Sequence, residues 1–221
     1  MTTPFDRLKQ TCQAEWLAYC QHDFVRQLGA GTLPADAFRH YLKQDYLFLV
    51  HFARAWGLAV YKSRNMAELR QGLNSLKAIV DIELDLHIAY CKEWGISEDE
   101  LATLPEARPT MAYTRYVLDA GHRGDLLDLH VALAPCIIGY AEIAQWLVKQ
   151  PFTKLENNPY APWIAMYVSD GFTSAIEAER DWLNQNLTDV STARFNDLAR
   201  TFRDATRLEA DFWQMGLDLR D

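Results

Sequence analysis

The chain has 221 residues, of which 49% are hydrophobic and 24% charged, enough apolar content for one sizeable core. A formal net charge of -8, with no lysine or arginine run, excludes a general electrostatic grip on nucleic acid, which needs a basic face. The four cysteines, Cys12, Cys20, Cys91 and Cys136, form no C-x-x-C pair. They suit neither a disulfide framework nor a zinc site, and point to a reducing, cytoplasmic compartment.

Apolar periodicity predicts helices over 5–28, 35–63, 66–94, 109–121, 124–149, 159–184 and 191–219, with a short helical turn at 97–103. The opening MTTPFDRLKQTCQAEW is polar and lacks the apolar core of a signal peptide. Pro34, Ser97 and Pro109 mark helix starts, and Gly29-Ala30-Gly31, Gly95, Gly121 and Gly124 mark breaks. The charge-free stretch from Val131 to Ala141 is too short to span a bilayer, so no membrane partner is expected. No run of β-type alternation, repeat or linker stands out, and the chain is read as one all-α domain over 1–221.

Three of these helices carry an apolar stripe interrupted by a polar residue. At about 100° per residue, Phe38, Tyr41, Asp45, Phe48, Phe52, Ala55, Trp56 and Ala59 share one face of the second helix. Asp45 thus sits among aromatics. In the last helix Glu209 lies amid Phe195, Leu198, Phe202, Ala205, Phe212 and Trp213. In the helix over 124–149, Cys136 and Tyr140 lie one turn apart on a face with Leu129, Leu133, Ile143 and Leu147. A buried carboxyl without partners costs several kcal/mol. Each acid could pair with an arginine or cap a helix. Two inward acids, a cysteine and several tyrosines together favour a shared polar pocket. Pro135, directly before Cys136, removes a backbone N–H and crowds the Val131 carbonyl; the resulting kink would aim the thiol or serve packing alone.

The blocks HDFVRQLGAGTLPADAFRHYLKQDYLFLVHFARA, PTMAYTRYV, ALAPCIIGYAEIA, PWIAMYVSDGF and EADFWQM, in this order and spacing, resemble the TenA family, also called thiaminase II or aminopyrimidine aminohydrolases. The resemblance covers nearly the whole chain. It implies a haem-oxygenase-like helical bundle, a homotetramer and a hydrolase that works without a cofactor or metal. It implies Cys136 as the catalytic cysteine, Glu209 as the catalytic glutamate, Asp45 as the substrate-binding aspartate, and Tyr113, Tyr140 and Tyr167 as pocket tyrosines. Tyr160 competes with Tyr167 for that last place. Phe48 stands where many members carry a tyrosine, so one pocket hydroxyl is missing. The implied reaction converts 4-amino-5-aminomethyl-2-methylpyrimidine to hydroxymethylpyrimidine and ammonia in thiamin salvage, with thiamin itself as another substrate.

Other readings of the residues stay open. A haem protein would need a ligand such as His22, although a histidine there more often bonds a helix end. A di-iron site would recruit Glu83, His87, Glu142, Glu177 or Glu179. Its pattern of glutamate and histidine three apart, on each of two helices, is absent from the sequence, and Glu83 with His87 suits a polar contact between helices. A cofactorless oxidase would want inward histidines and arginines. A non-enzymatic binding or regulatory protein is the remaining alternative. Trp16, Trp94, Trp146 and Trp182, and the thiols Cys12, Cys20 and Cys91, are read as packing residues.

Overall fold

The computed structural model describes residues 2–221, and all regular structure among them is helical. The helices are α1 (Pro4–Gln10), α2 (Gln13–Cys20), α3 (Asp23–Ala30), α4 (Ala35–Lys62) and α5 (Met66–Ala78). A π-helical turn (Ile79–Glu83) joins α5 to α6 (Leu84–Glu93). Then come α7 (Glu98–Ala102), α8 (Arg108–Arg123), α9 (Leu126–Leu147), α10 (Ala161–Tyr167), α11 (Asp170–Leu187) and α12 (Thr192–Asp218). Backbone contacts group the chain into two compact units. Unit 1 holds residues up to 33 together with 130–214; unit 2 holds 34–129 and 215–221. No linker marks these boundaries, two of which fall inside α9 and α12.

Two helices expected as continuous are broken by capping. The stretch over 5–28 divides into three. Thr11 turns its hydroxyl back to the Leu8 carbonyl, 2.7 Å away, and His22 caps α3 by accepting from the Phe24 amide at 3.2 Å. The stretch over 159–184 divides at Ser169, whose hydroxyl accepts from the Phe172 amide. Local side-chain hydrogen bonds here win over apolar periodicity, because they satisfy helix-end carbonyls and amides that the pattern does not register. Ser97 caps α7 in the same way, at the expected start.

In unit 1, aromatic side chains form a continuous column. Phe5 meets Phe202 edge-on, Phe202 stacks on Trp16, and Trp16 meets Tyr19. Tyr19 and Phe24 then stack on Trp213. The loop between α9 and α10 is tied down by Asn158, whose amide donates to the carbonyls of Leu28, Gly29 and Lys154 at 2.8–3.2 Å. The bonds to Leu28 and Gly29 serve the C-terminal carbonyls of α3, which is capped by Gly31 with φ +69°.

Helix α9 is buried on nearly every side from Val131 to Ala141. At 22 residues it is long and apolar enough to cross a membrane by length and composition, which the shorter charge-free stretch did not suggest. With 83% of its apolar window buried, it has the character of a core helix. Pro135 lies within it, and the carbonyl of that residue accepts from the Tyr19 hydroxyl at 3.2 Å. Gly139, one turn on, makes room for the same ring: a Cβ there would lie 2.4 Å from Tyr19 Cε1.

In unit 2, α4 is the central rod, and α5, α6 and α8 pack on it. Asn65 opens α5 by accepting from the amides of Ala67 and Glu68. The buried side chain of Gln44 fastens the start of α8. Its Oε1 accepts from the Ala107 amide and the Thr110 hydroxyl, and its Nε2 donates to the Pro105 carbonyl.

Gly139→Ala should lower unfolding stability by about 1–3 kcal/mol despite the better helix propensity of alanine, because Tyr19 has no space to retreat; a urea midpoint at or above that of the wild type would contradict the packing. In the π turn, burial and then the Asp45 carboxyl push Glu83 up to about 7. The native state therefore holds this proton more tightly than the unfolded chain, and stability falls as pH rises from about 4.5 to about 7. Glu83→Gln should be more stable than wild type by on the order of 1–2 kcal/mol at pH 8, with little difference at pH 4.5, as read from urea titrations at the two pH values.

Candidate active site

Within unit 1, four of the residues singled out by sequence gather around the aromatic column. Cys136 lies on α9, 9% exposed, and its thiol donates to the Leu133 carbonyl at 3.0 Å. Tyr140, one turn later, packs 5.0 Å from the Tyr167 ring and 5.3 Å from Trp213. Tyr167 also meets Trp163 at 4.6 Å. Glu209 lies on α12, one turn before Trp213, and is 1% exposed. Tyr19 reports on the group from within. Its hydroxyl is pushed well above its ordinary range, first by burial and then by the charges of Glu209, Cys20, Cys136 and Tyr167. An acid, a thiol and two phenols therefore share one dry region of this unit.

Tyr160 does a different job. Its hydroxyl donates to the Leu33 carbonyl at 2.5 Å and ties the approach to α10 to the turn before α4. Tyr167 is the tyrosine that packs on Tyr140.

Within unit 2, Asp45 is 8% exposed on α4. The Tyr41 hydroxyl donates to its Oδ2 at 3.3 Å, and His87 Nδ1 lies 3.6 Å from the same oxygen. Burial raises the carboxyl above its usual range, and His87 and Tyr41 oppose that rise without cancelling it. One turn beyond Asp45, Phe48 stacks on Tyr113 with centroids 5.2 Å apart and planes at 21°. Two aromatic faces and a carboxyl thus lie along one stretch of α4 and α8. The hydroxyl that a tyrosine at 48 would add is missing from this pair.

The remaining cysteines make poor nucleophiles. Burial pushes Cys12 up to about 11 and Cys91 up to about 12, and raises Cys20 well above its usual range. Glu142, one of the acids considered for a metal, accepts from Lys9, Trp16 and Arg180 and anchors α9 to α1, α2 and α11. Glu179 accepts from or donates to His130 Nδ1 at 2.8 Å, in a buried pair covered by the Trp182 ring at 3.8 Å. His22 is a helix cap, as a histidine at a helix end suggests.

Two residues with structural roles around these groups, Gln44 and Tyr19, escape sequence reasoning. Gln44 and Tyr19 lie beside or opposite the singled-out positions, yet nothing in their spacing marks them. His87 makes the polar contact between helices that the sequence suggests, with the Leu42 carbonyl and Asp45 on α4 as its partners. The adjacency of Gln44 to Asp45 was the one signal that could have drawn attention to it.

Comparison with known proteins places the chain. The model of the TENA/THI-4/PQQC family matches residues 9–219. A protein of Haemophilus influenzae, described as uncharacterized, is 44% identical over 97% of this chain and 99% of its own length. An aminopyrimidine aminohydrolase of Halalkalibacterium halodurans is 36% identical over 96% of this chain and 95% of its own. Among solved structures, a TenA family transcription regulator from Silicibacter sp. TM1040 superposes with a TM-score of 0.89 at 42% identity, covering 97% of this chain and 96% of that one. A Shewanella denitrificans domain with a heme oxygenase-like fold, 12% identical, matches with a TM-score of 0.76 over 97% of this chain and 92% of its own, and shows the fold alone. The all-α, haem-oxygenase-like fold, the match across nearly the whole chain and the similarity to these relatives lead to one conclusion: this chain belongs to the TENA/THI-4/PQQC family.

Proposed function

We propose that this protein is an aminopyrimidine aminohydrolase that converts 4-amino-5-aminomethyl-2-methylpyrimidine to hydroxymethylpyrimidine and ammonia, with Cys136 as nucleophile and Glu209 as acid–base partner. The observation that supports the reading is the packing of Tyr140, one turn from Cys136, at 5.0 Å from Tyr167 and 5.3 Å from Trp213, which lies one turn from the buried Glu209. Its relation to an enzyme named for that reaction supports the substrate class. Dehydration matters because electrostatic and proton-transfer effects are larger where water is excluded.

The substrate is a flat, electron-poor ring with an exocyclic amine. In this reading Tyr113 and Phe48, already stacked on each other, and Tyr140 and Tyr167 supply aromatic contacts, each worth about 0.5–1.5 kcal/mol beyond area. Asp45 accepts from the exocyclic amine. The bond to be broken lies on the methylene outside the ring, which is hard to reach without covalent help. Cys136 first gives up the proton it shares with the Leu133 carbonyl. Glu209 takes that proton and delivers it to a ring nitrogen, while the sulfur bonds to the ring carbon beside the arm. Electrons move toward the arm, whose amine leaves as ammonia from its protonated, ammonium form. Water adds to the exposed methylene and sheds one proton to solvent, the carbon–sulfur bond breaks, and the proton on the ring nitrogen returns through Glu209 to the sulfur. One difficult step becomes two easier ones. Thiamin would follow the same course with its thiazole as leaving group.

We also assign the chain to the cytoplasm, where its four thiols remain reduced, and to a homotetramer. Exposed Leu73, Val80, Ile82 and Leu86, along α5, the π turn and α6, supply apolar surface of the kind that subunit contacts cover. Light scattering of the purified protein reports the assembly directly.

A side-by-side assay of the aminomethylpyrimidine and thiamin tests the activity, with release of ammonia or thiazole as the readout. Cys136→Ser should lose turnover of both while still binding hydroxymethylpyrimidine; full activity in that variant would exclude the sulfur as nucleophile. Glu209→Gln should lower kcat by about 10²–10⁴-fold with a smaller change in KM. Asp45→Asn should weaken product binding by about 10–100-fold, the loss expected for a charged hydrogen bond, and wild-type affinity would show that another group holds the amine.

A further inference from the structure

The two ring nitrogens of His87 have different partners. Nε2 lies 2.8 Å from the Leu42 carbonyl oxygen. That oxygen can only accept, so Nε2 carries a hydrogen. Nδ1 lies 3.6 Å from Asp45 Oδ2, and both side chains are dry, 9% and 11% exposed. If the ring were neutral and the carboxyl ionised, the lone pair of Nδ1 would face those of Oδ2. The contact is attractive only when one more proton is present, on Nδ1 or on Oδ2. The Tyr41 hydroxyl already donates to Oδ2. Burial raises this carboxyl on balance, but a hydrogen bond donated to its oxygen favours the ionised form and works against that rise, which is the ground for placing the extra proton on Nδ1. Oδ1, by contrast, makes no hydrogen bond among the described residues.

The other titratable groups of unit 2 near this carboxyl do not compete for the role. Glu83, in the π turn, and Cys91, on α6, are both raised by burial and by Asp45 itself. Neither can supply positive charge. His87 is the basic side chain beside Asp45.

Building on the reading of Asp45 as the substrate-binding carboxylate, we propose that His87 is a positioning residue: as an imidazolium it keeps Asp45 ionised and occupies Oδ2, so that Oδ1 is left to accept from the exocyclic amine of the aminopyrimidine. The π turn immediately before α6 supports this placement, since the extra residue it inserts shifts the phase of the helix that carries His87.

Long-range ¹H–¹⁵N correlation of the imidazoles in the intact protein at pH 7 tests the protonation state, with His87→Gln to assign the signal. The expected result is a His87 ring protonated at both nitrogens in wild type, becoming the neutral Nε2–H form in Asp45→Asn. A neutral ring in wild type would overturn the proposal. A second arm measures hydroxymethylpyrimidine binding and steady-state kinetics. In His87→Gln the amide can still donate to the Leu42 carbonyl but carries no charge. With unfolding midpoint unchanged, its product Kd should rise at least 10-fold, and KM should rise more than kcat falls. Wild-type affinity in that folded variant would also overturn the proposal. The two arms separate two kinds of failure. A wild-type protein that neither binds nor converts the pyrimidine ends the substrate reading, whereas the imidazole signals still decide between a charged and a neutral His87 beside Asp45.

Discussion

Carboxyl groups placed on the apolar faces of long helices impose the strictest constraint on this protein. Asp45 on α4 and Glu209 on α12 are both nearly inaccessible to water. A charge in such a place is tolerated only where hydrogen bonds or an opposite charge replace hydration, because the cost of removing it from water is several kcal/mol. Much of the surrounding detail answers that demand. Tyr41 and His87 converge on Asp45. The His87 ring is itself anchored through Nε2 to the Leu42 carbonyl of the helix that bears Asp45. A core built only for stability would have used an apolar side chain at either position.

A similar economy of contacts surrounds Cys136. Proline and glycine flank it within one turn, and both accommodate Tyr19: the Pro135 carbonyl accepts its hydroxyl, and Gly139 yields space to its ring. Residues usually read as helix breakers therefore act here as a socket for an aromatic side chain from α2. That side chain in turn feels the charges of Glu209, Cys136 and Tyr167. Packing and chemistry are thus coupled through one ring. Tyr19 joins the column that runs from Phe5 to Trp213, so a disturbance at the column would be felt beside the thiol.

Legibility in the sequence followed the range of the interactions involved. Long amphipathic runs such as 35–62 and 192–218 were placed within a residue or two, because their apolar stripes repeat over many turns. The inward location of Asp45, Cys136 and Glu209 was readable for the same reason. The breaks at Thr11, His22 and Ser169 are not legible in the pattern, since each is marked by one local side-chain hydrogen bond. The π turn at Ile79–Glu83 left no trace in the pattern, as one inserted residue shifts helical phase without changing composition. The different contacts of Tyr160 and Tyr167 could not be read from spacing. The Tyr160 hydroxyl bonds to Leu33, which lies 127 positions away in the chain.

Sequence alone determined the helical class, the faces that turn inward, the identity of the polar residues on those faces and the family resemblance. These depend on periodicity and residue type, which act along the chain. Tertiary structure decided which partners those polar groups meet: Tyr19 against Pro135, Gln44 at the start of α8, and His87 between Leu42 and Asp45. Such pairings join residues far apart in sequence, and their hydrogen bonds exist only at distances and angles that the folded backbone sets.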